Sequence, residues 1–326
     1  MYTLLVLACT EHTLNPVERP RAPDRQDRPD REFDADTGSA EEDPPEDTDP
    51  PDEEEPPEED PPSDDDCWDE HFEPDADISD LKSGFSAGNA RSTMEQLFER
   101  RFQSAAHLID EQSHDPYIDI FTETSSWGWF VDSLGTVVHE TVHGYDYENS
   151  LNGNGGYFRY WFLKSYLPKT PWTDGFARSR IKSRVEGDAT ELYWLYLEGT
   201  QGTYGWVELL DETNCYVNGL GALTVVAEDM PWGTSAIDGP TAFLYFIALY
   251  IEEAEENDPA VHARISEPPF QDVVRDLWLR THFFLQWADD EPKLSVEGER
   301  IKKLMYAKEG VIEDYLGYGL DGHCLE

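Results

Sequence analysis

Two imidazoles one helical turn apart, with a carboxylate beside the first, stand at His139-Glu140-Thr141-Val142-His143. Residues four apart on an α-helix share a face, with Cβ atoms about 5–6 Å apart, so the rings of His139 and His143 can converge on one metal ion. Glu140 is turned roughly 100° from His139, at 3.6 residues per turn, which keeps its carboxylate out of the ligand set and beside a metal-activated water. The spacing supplies two ligands and a general base.

Such a constellation works only if a helix holds it. Val131, Leu134, Val138 and Val142 follow the spacing of a buried helical stripe, leaving Asp132, Gly135, Thr136, His139 and His143 on the other face, toward a cleft. The pattern predicts a helix from about Asp132 to Gly144, with Gly144 as its stop and a strand over Tyr117 to Thr122 before it.

A catalytic zinc takes three protein ligands and leaves the fourth position to water. A metzincin continuation would need Gly at 146 and His at 149, where the chain has Asp146 and Asn149. The favoured third ligand is Glu186, in Arg184-Val185-Glu186-Gly187-Asp188-Ala189, 43 residues after His143, on a helix expected over Ser179 to Glu198. Glu191 competes from the same helix, and Asp146 and Glu148 stay open. Across His139, Glu140, His143, Glu186, Gly187 and Ala189 the chain resembles the gluzincin group of zinc metallopeptidases. That resemblance implies Zn2+ held by His139, His143 and Glu186, Glu140 as catalytic base, and peptide-bond hydrolysis. It also implies a zincin-like fold and a Tyr or His donor to the developing oxyanion, for which Tyr204, Tyr216, His262 and His282 are available. Asp188, Asp146 and Glu191 are the acids that can orient a ligating histidine.

Residues 1 to 80 carry 30 Asp and Glu against 5 Lys and Arg, a formal charge of −25 out of −46 for the chain, and are rich in Pro. Such a segment cannot bury enough apolar surface to offset its chain entropy, so it is expected to be a self-repelling spacer. With the remainder also acidic, no basic patch offers to neutralise phosphates, and nucleic acid is excluded as a partner. The run ending Val6-Leu7-Ala8-Cys9 resembles the lipobox of bacterial lipoprotein signal peptides, although no Lys or Arg precedes it and the apolar stretch is short, which places the start codon upstream if the resemblance holds. It implies residues 1–8 as a signal remnant, a lipid anchor on Cys9, residues 9–75 as a tether, and a cell-envelope or secreted location. No other run of about 18 apolar residues is present to cross a bilayer. Cys67, Cys215 and Cys324 allow one disulfide and leave one thiol.

Residues 76–326 are expected to form one α+β domain, predominantly helical. Helices are read at Ser92 to Gln112, Pro240 to Glu256, Asp272 to Trp287 and Val296 to Tyr315, with Tyr157 to Tyr166 as either strand or buried helix. The expected partner is a peptide or protein substrate, basic ones being weakly favoured by the acidic domain. Two rival functions follow from the same residues: an inactive zincin-fold surface lipoprotein that binds or scaffolds, and a zinc hydrolase of another amide, such as cell-wall peptide.

Overall fold

A computed structural model of the chain describes residues 67–152, 155–186 and 191–320. The expected signal remnant, Cys9, most of the tether, Gly187, Asp188, Ala189 and Cys324 lie outside the described residues. In chain order the helices are α1 (Ser79–Gly84), α2 (Ala90–Arg101), α3 (Gln103–Glu111), α4 (Pro116–Phe121) and α5 (Trp127–Glu148). A two-stranded antiparallel hairpin follows, β1 (Tyr157–Arg159) and β2 (Lys169–Pro171), with Phe158 opposite Thr170. Then come a 3-10 helix (Arg178–Arg184), α6 (Glu191–Tyr196), α7 (Trp206–Thr224), α8 (Asp238–Asn257), α9 (Pro259–Ile265), α10 (Pro268–Ala288), α11 (Glu299–Tyr306) and α12 (Glu309–Leu316). The architecture is predominantly helical with one small sheet, as the α+β expectation required at that level. No helix among the described residues is long and apolar enough to cross a membrane.

The core is built around α7 and α8, whose side chains are buried nearly all round, with α5 and α10 packed against α7. A helix buried on every side belongs at the centre of a bundle rather than at its surface. The aromatic segment after β1 is stitched into that centre. The Trp161 N–H donates to Asp146 Oδ1 of α5 at 2.7 Å, and the Trp161 carbonyl accepts from Asn214 Nδ2 of α7 at 3.1 Å.

Several local expectations are corrected. Residues 117–121 are helical rather than extended, because Asp115 caps the first turn by accepting from the Tyr117 N–H at 2.8 Å and Pro116 occupies the first helical position. The helix expected over 92–112 is broken at Phe102, where φ is −147° and ψ 85°. There residues 71–73 pair with the chain in β fashion, Glu73 N donating to Arg101 O and Gln103 N to His71 O. The buried Phe102 ring meets Phe72, Phe98 and Phe284. Packing thus begins before residue 76, and Glu70 accepts from the fully buried Arg280 at 2.7 Å. Gly144 does not end the motif helix, which continues to Glu148. A Cβ at 144 would lie 2.8 Å from Asp115 Oδ2, so the glycine admits a neighbouring loop instead. The last expected helix is two, α11 and α12. Cys67 is in a disulfide, and among the described residues Cys215 is a buried free thiol.

Candidate metal centre

On α5, Val131, Leu134, Val138 and Val142 are fully buried as their spacing predicts. The opposite face is not open. It is covered by α7, which leaves His139 1% exposed, Glu140 1% and His143 5%, with Asp132 and Thr136 half-buried beyond. The two helices approach closely because each presents a glycine. A Cβ at Gly135 would stand 2.7 Å from the Leu223 side chain, and one at Gly219 would stand 3.2 Å from the Gly135 carbonyl and 3.8 Å from His139 Cβ.

This approach delivers Glu212 of α7 to the histidines. Its Oε2 lies 3.7 Å from His139 Nε2 and 3.5 Å from His143 Nε2, and the carboxylate is 3% exposed. Those distances exceed a normal hydrogen bond, and Oε2 has no hydrogen-bond partner among the described residues. Donor atoms on one tetrahedral ion with bonds of about 2.0–2.2 Å stand roughly 3.3–3.5 Å apart, a spacing that the 3.5 Å from His143 Nε2 matches and the 3.7 Å from His139 Nε2 slightly exceeds.

The rear of the site supports the same orientation. His143 Nδ1 stands 2.8 Å from Asp211 Oδ2, so Nδ1–H donates to the carboxylate and Nε2 faces Glu212. Asp211 Oδ1 is 3.9 Å from Cys215 Sγ. His139, His143 and Cys215 offer donor atoms that all lie within 4.8 Å of one another, a possible metal site in its own right. Tyr216 sets its ring edge-on to His139, centroids 4.6 Å apart, and its hydroxyl lies 2.9 Å from that of Tyr196.

Electrostatics follow from burial among acids. Burial depresses the His143 imidazole, but Cys215, Asp211 and Glu212 around it more than offset this and raise it well above its ordinary value. Burial raises Glu212, yet His143, Arg178 and His139 outweigh it and hold the carboxyl below the usual range. Burial and the Asp211 charge push Asp146 well above the usual carboxylate range.

The expected third ligand does not join this group. Glu186 is exposed just after the 3-10 helix, its N–H donating to the Tyr245 hydroxyl at 3.1 Å. The helix expected over 179–198 is interrupted because Arg180 and Arg184 are drawn onto Glu253 of α8 at 2.7 and 2.6 Å. Glu191 opens α6, and its side chain lies outside the described residues. Asp146 is buried among hydrogen bonds to Trp161 and Asn214, and Glu148 is exposed beside Gln112 and His114. Of the expected oxyanion donors, Tyr216 touches His139, while the buried His282 donates from Nδ1 to Trp278 O within α10. Asp211 and Glu212 went unread in the sequence, although Asp211-Glu212-Thr213-Asn214 is a polar run inside an otherwise apolar helix, and buried polar residues are the informative ones.

No known protein family, curated protein or solved structure matches the chain.

Proposed function

We propose that this chain is a zinc-dependent metallopeptidase with a zincin-like catalytic arrangement, its metal held by His139, His143 and Glu212 and its general base Glu140. The observation that carries the reading is the position of Glu212 Oε2, 3.7 and 3.5 Å from the two Nε2 atoms that the motif presents. Zn2+ bound there would polarise a substrate carbonyl and make a water acidic enough to attack it near neutral pH. Glu140 takes the proton of the attacking water and returns it to the leaving amine. Asp211 keeps His143 in the tautomer that presents Nε2. Tyr216, against His139 and hydrogen-bonded to Tyr196, is the tyrosine proposed to donate to the developing oxyanion. The lipobox resemblance adds anchoring through Cys9 at a cell envelope to this proposal.

The test is metal content and peptide-library hydrolysis for the full chain beside Glu140→Gln and Glu212→Gln. One equivalent of zinc in the parent and Glu140→Gln, activity in the parent alone, and zinc lost from Glu212→Gln are the expected results. Stoichiometric zinc in Glu212→Gln would remove Glu212 from the ligand set, and no hydrolysis by zinc-loaded parent would remove the enzyme reading.

A second reading is favoured by Cys215, whose thiol shares the 4.8 Å group with both histidines. Four protein donors would close the site and leave a structural metal in an inactive binding protein. A thiolate charge-transfer band in the Co2+-loaded chain, absent from Cys215→Ser, distinguishes that outcome.

A further inference from the structure

The chain carries 70 Asp and Glu, yet none falls between residues 149 and 173, where Arg159, Lys164 and Lys169 stand. This stretch is the hairpin with its flanks, and its register sorts the side chains. Phe158 and Thr170 are buried and face inward. On the outward face Leu151 pairs with Tyr157 and Tyr157 with Pro171, so these three form one row, and Arg159 opposite Lys169 forms the next. Leu151 is 57% exposed, Lys169 and Pro171 are exposed, and Tyr157 and Arg159 are half-buried. Lys164 is exposed at the tip of the hairpin, where Leu163 pairs with Tyr166.

The second row is unfavourable as it stands, because like charges directly opposite one another destabilise a strand pair. The Tyr157 ring offsets part of this, its centroid 5.2 Å from Lys169 Nζ and 6.0 Å from Arg159 Cζ, and Arg159 also donates to the Tyr145 hydroxyl. Among the described residues no carboxylate lies within 4.0 Å of Arg159, Lys164 or Lys169. Other cations of this acidic chain do meet acids: Arg100 has Asp80, Arg180 has Glu253 and Lys308 has Glu252. An uncompensated basic row beside an exposed apolar row is a surface that an outside partner completes.

We propose that this face of the hairpin docks on an anionic lipid surface, with Leu151, Tyr157 and Pro171 at the acyl boundary and Arg159, Lys169 and Lys164 among the headgroups. Apolar and aromatic side chains flanked by cations complement the boundary between hydrocarbon and anionic headgroups. A nucleic-acid backbone would call for a longer basic track. The Debye length is about 8 Å at physiological ionic strength, so acids on the far side of the domain are screened from a membrane that the hairpin touches. The proposal depends neither on the metal centre nor on a lipid at Cys9.

The experiment is co-sedimentation of full-length Cys9→Ser, which cannot be lipidated at that residue, with vesicles of phosphatidylcholine alone or mixed equally with phosphatidylglycerol. The expected result is partitioning onto the anionic vesicles at least about tenfold stronger than onto the neutral ones, falling as salt rises. Adding Lys169→Glu removes one favourable charge and introduces an opposed one. At about fivefold per charge near the surface, it should weaken binding roughly 25-fold. Lys303→Glu, at an exposed lysine outside the hairpin, should change binding by less than about twofold. Leu151→Ser should weaken it severalfold, since the apolar row no longer reaches the acyl boundary. Equal partitioning onto both vesicles, or onto neither, overturns the proposal, as does an equal loss in Lys303→Glu. Undiminished binding by Leu151→Ser also overturns it and leaves the basic row to an acidic protein partner.

Discussion

Asp211 Oδ2 lies 2.8 Å from His143 Nδ1, on the side of the ring away from the nitrogen that faces Glu212. The carboxylate fixes both the tautomer and the plane of the imidazole. Partners of this kind typically contribute about 10–100-fold to metal affinity. Asp211→Ala should therefore weaken zinc binding by that order in competition with a chromophoric chelator, and an unchanged affinity would show that His143 needs no help to present Nε2.

The close crossing of α5 and α7 makes a second expectation. Gly135→Ala puts a methyl 2.7 Å from Leu223, and overpacking of this kind costs about 1–3 kcal/mol. Leu223→Ala alone should cost about 2–5 kcal/mol through the cavity it leaves. Combined, they should cost less than their sum, by roughly 0.5–3 kcal/mol, because each relieves the other. Urea unfolding of the four proteins measures the coupling, and strict additivity would mean that the helices do not approach as described.

Glu70 and Arg280 form an ion pair with both side chains almost wholly buried. Removing one charge strands the other, at a cost of about 3–5 kcal/mol. Glu70→Gln should lose that much in denaturant unfolding, whereas surface carboxylates such as Glu99 should change stability by no more than about 0.5 kcal/mol when replaced by Gln.

Burial holds the His282 imidazole down to about 4, with its Nδ1–H donated to Trp278 O. In the unfolded chain the group titrates near ~6.5, so between these values the unfolded state carries the extra proton. Stability therefore falls as pH drops from about 6.5 toward 4, by an amount of order 3 kcal/mol from this residue. His282→Gln should flatten that part of the stability profile, whatever it does at pH 7. A parent and variant with parallel profiles would show that His282 accepts a proton in the folded state.

The helix carrying the two histidines was legible from the sequence because its information is local: Val131, Leu134, Val138 and Val142 mark the buried stripe and the motif lies within one turn. The acid opposite was not. Glu186 sits in a local pattern that resembles a ligand helix, yet its segment is taken up by arginine contacts to Glu253. Glu212 follows His143 by 69 residues, and what brings it near is the Gly135 and Gly219 contact, which no periodicity announces. The break at Phe102 was hidden for the same reason, since its cause is a partner segment at 71–73. The helix at Pro116–Phe121 was readable after all, from Asp115 and Pro116 as cap and first residue, had that signal been ranked above alternation.

The pairing of residues 71–73 with the interruption at Phe102 also decides where the folded unit can be cut. A fragment beginning at residue 76 would leave the Arg101 carbonyl and the Gln103 N–H without the backbone groups they now meet. It would open a hole beside Phe102 and Phe284 where Phe72 packs, and leave Arg280 charged in an apolar pocket. Such a fragment would expose adhesive aromatic surface and aggregate, so material for measurement has to retain the arm from Cys67 onward.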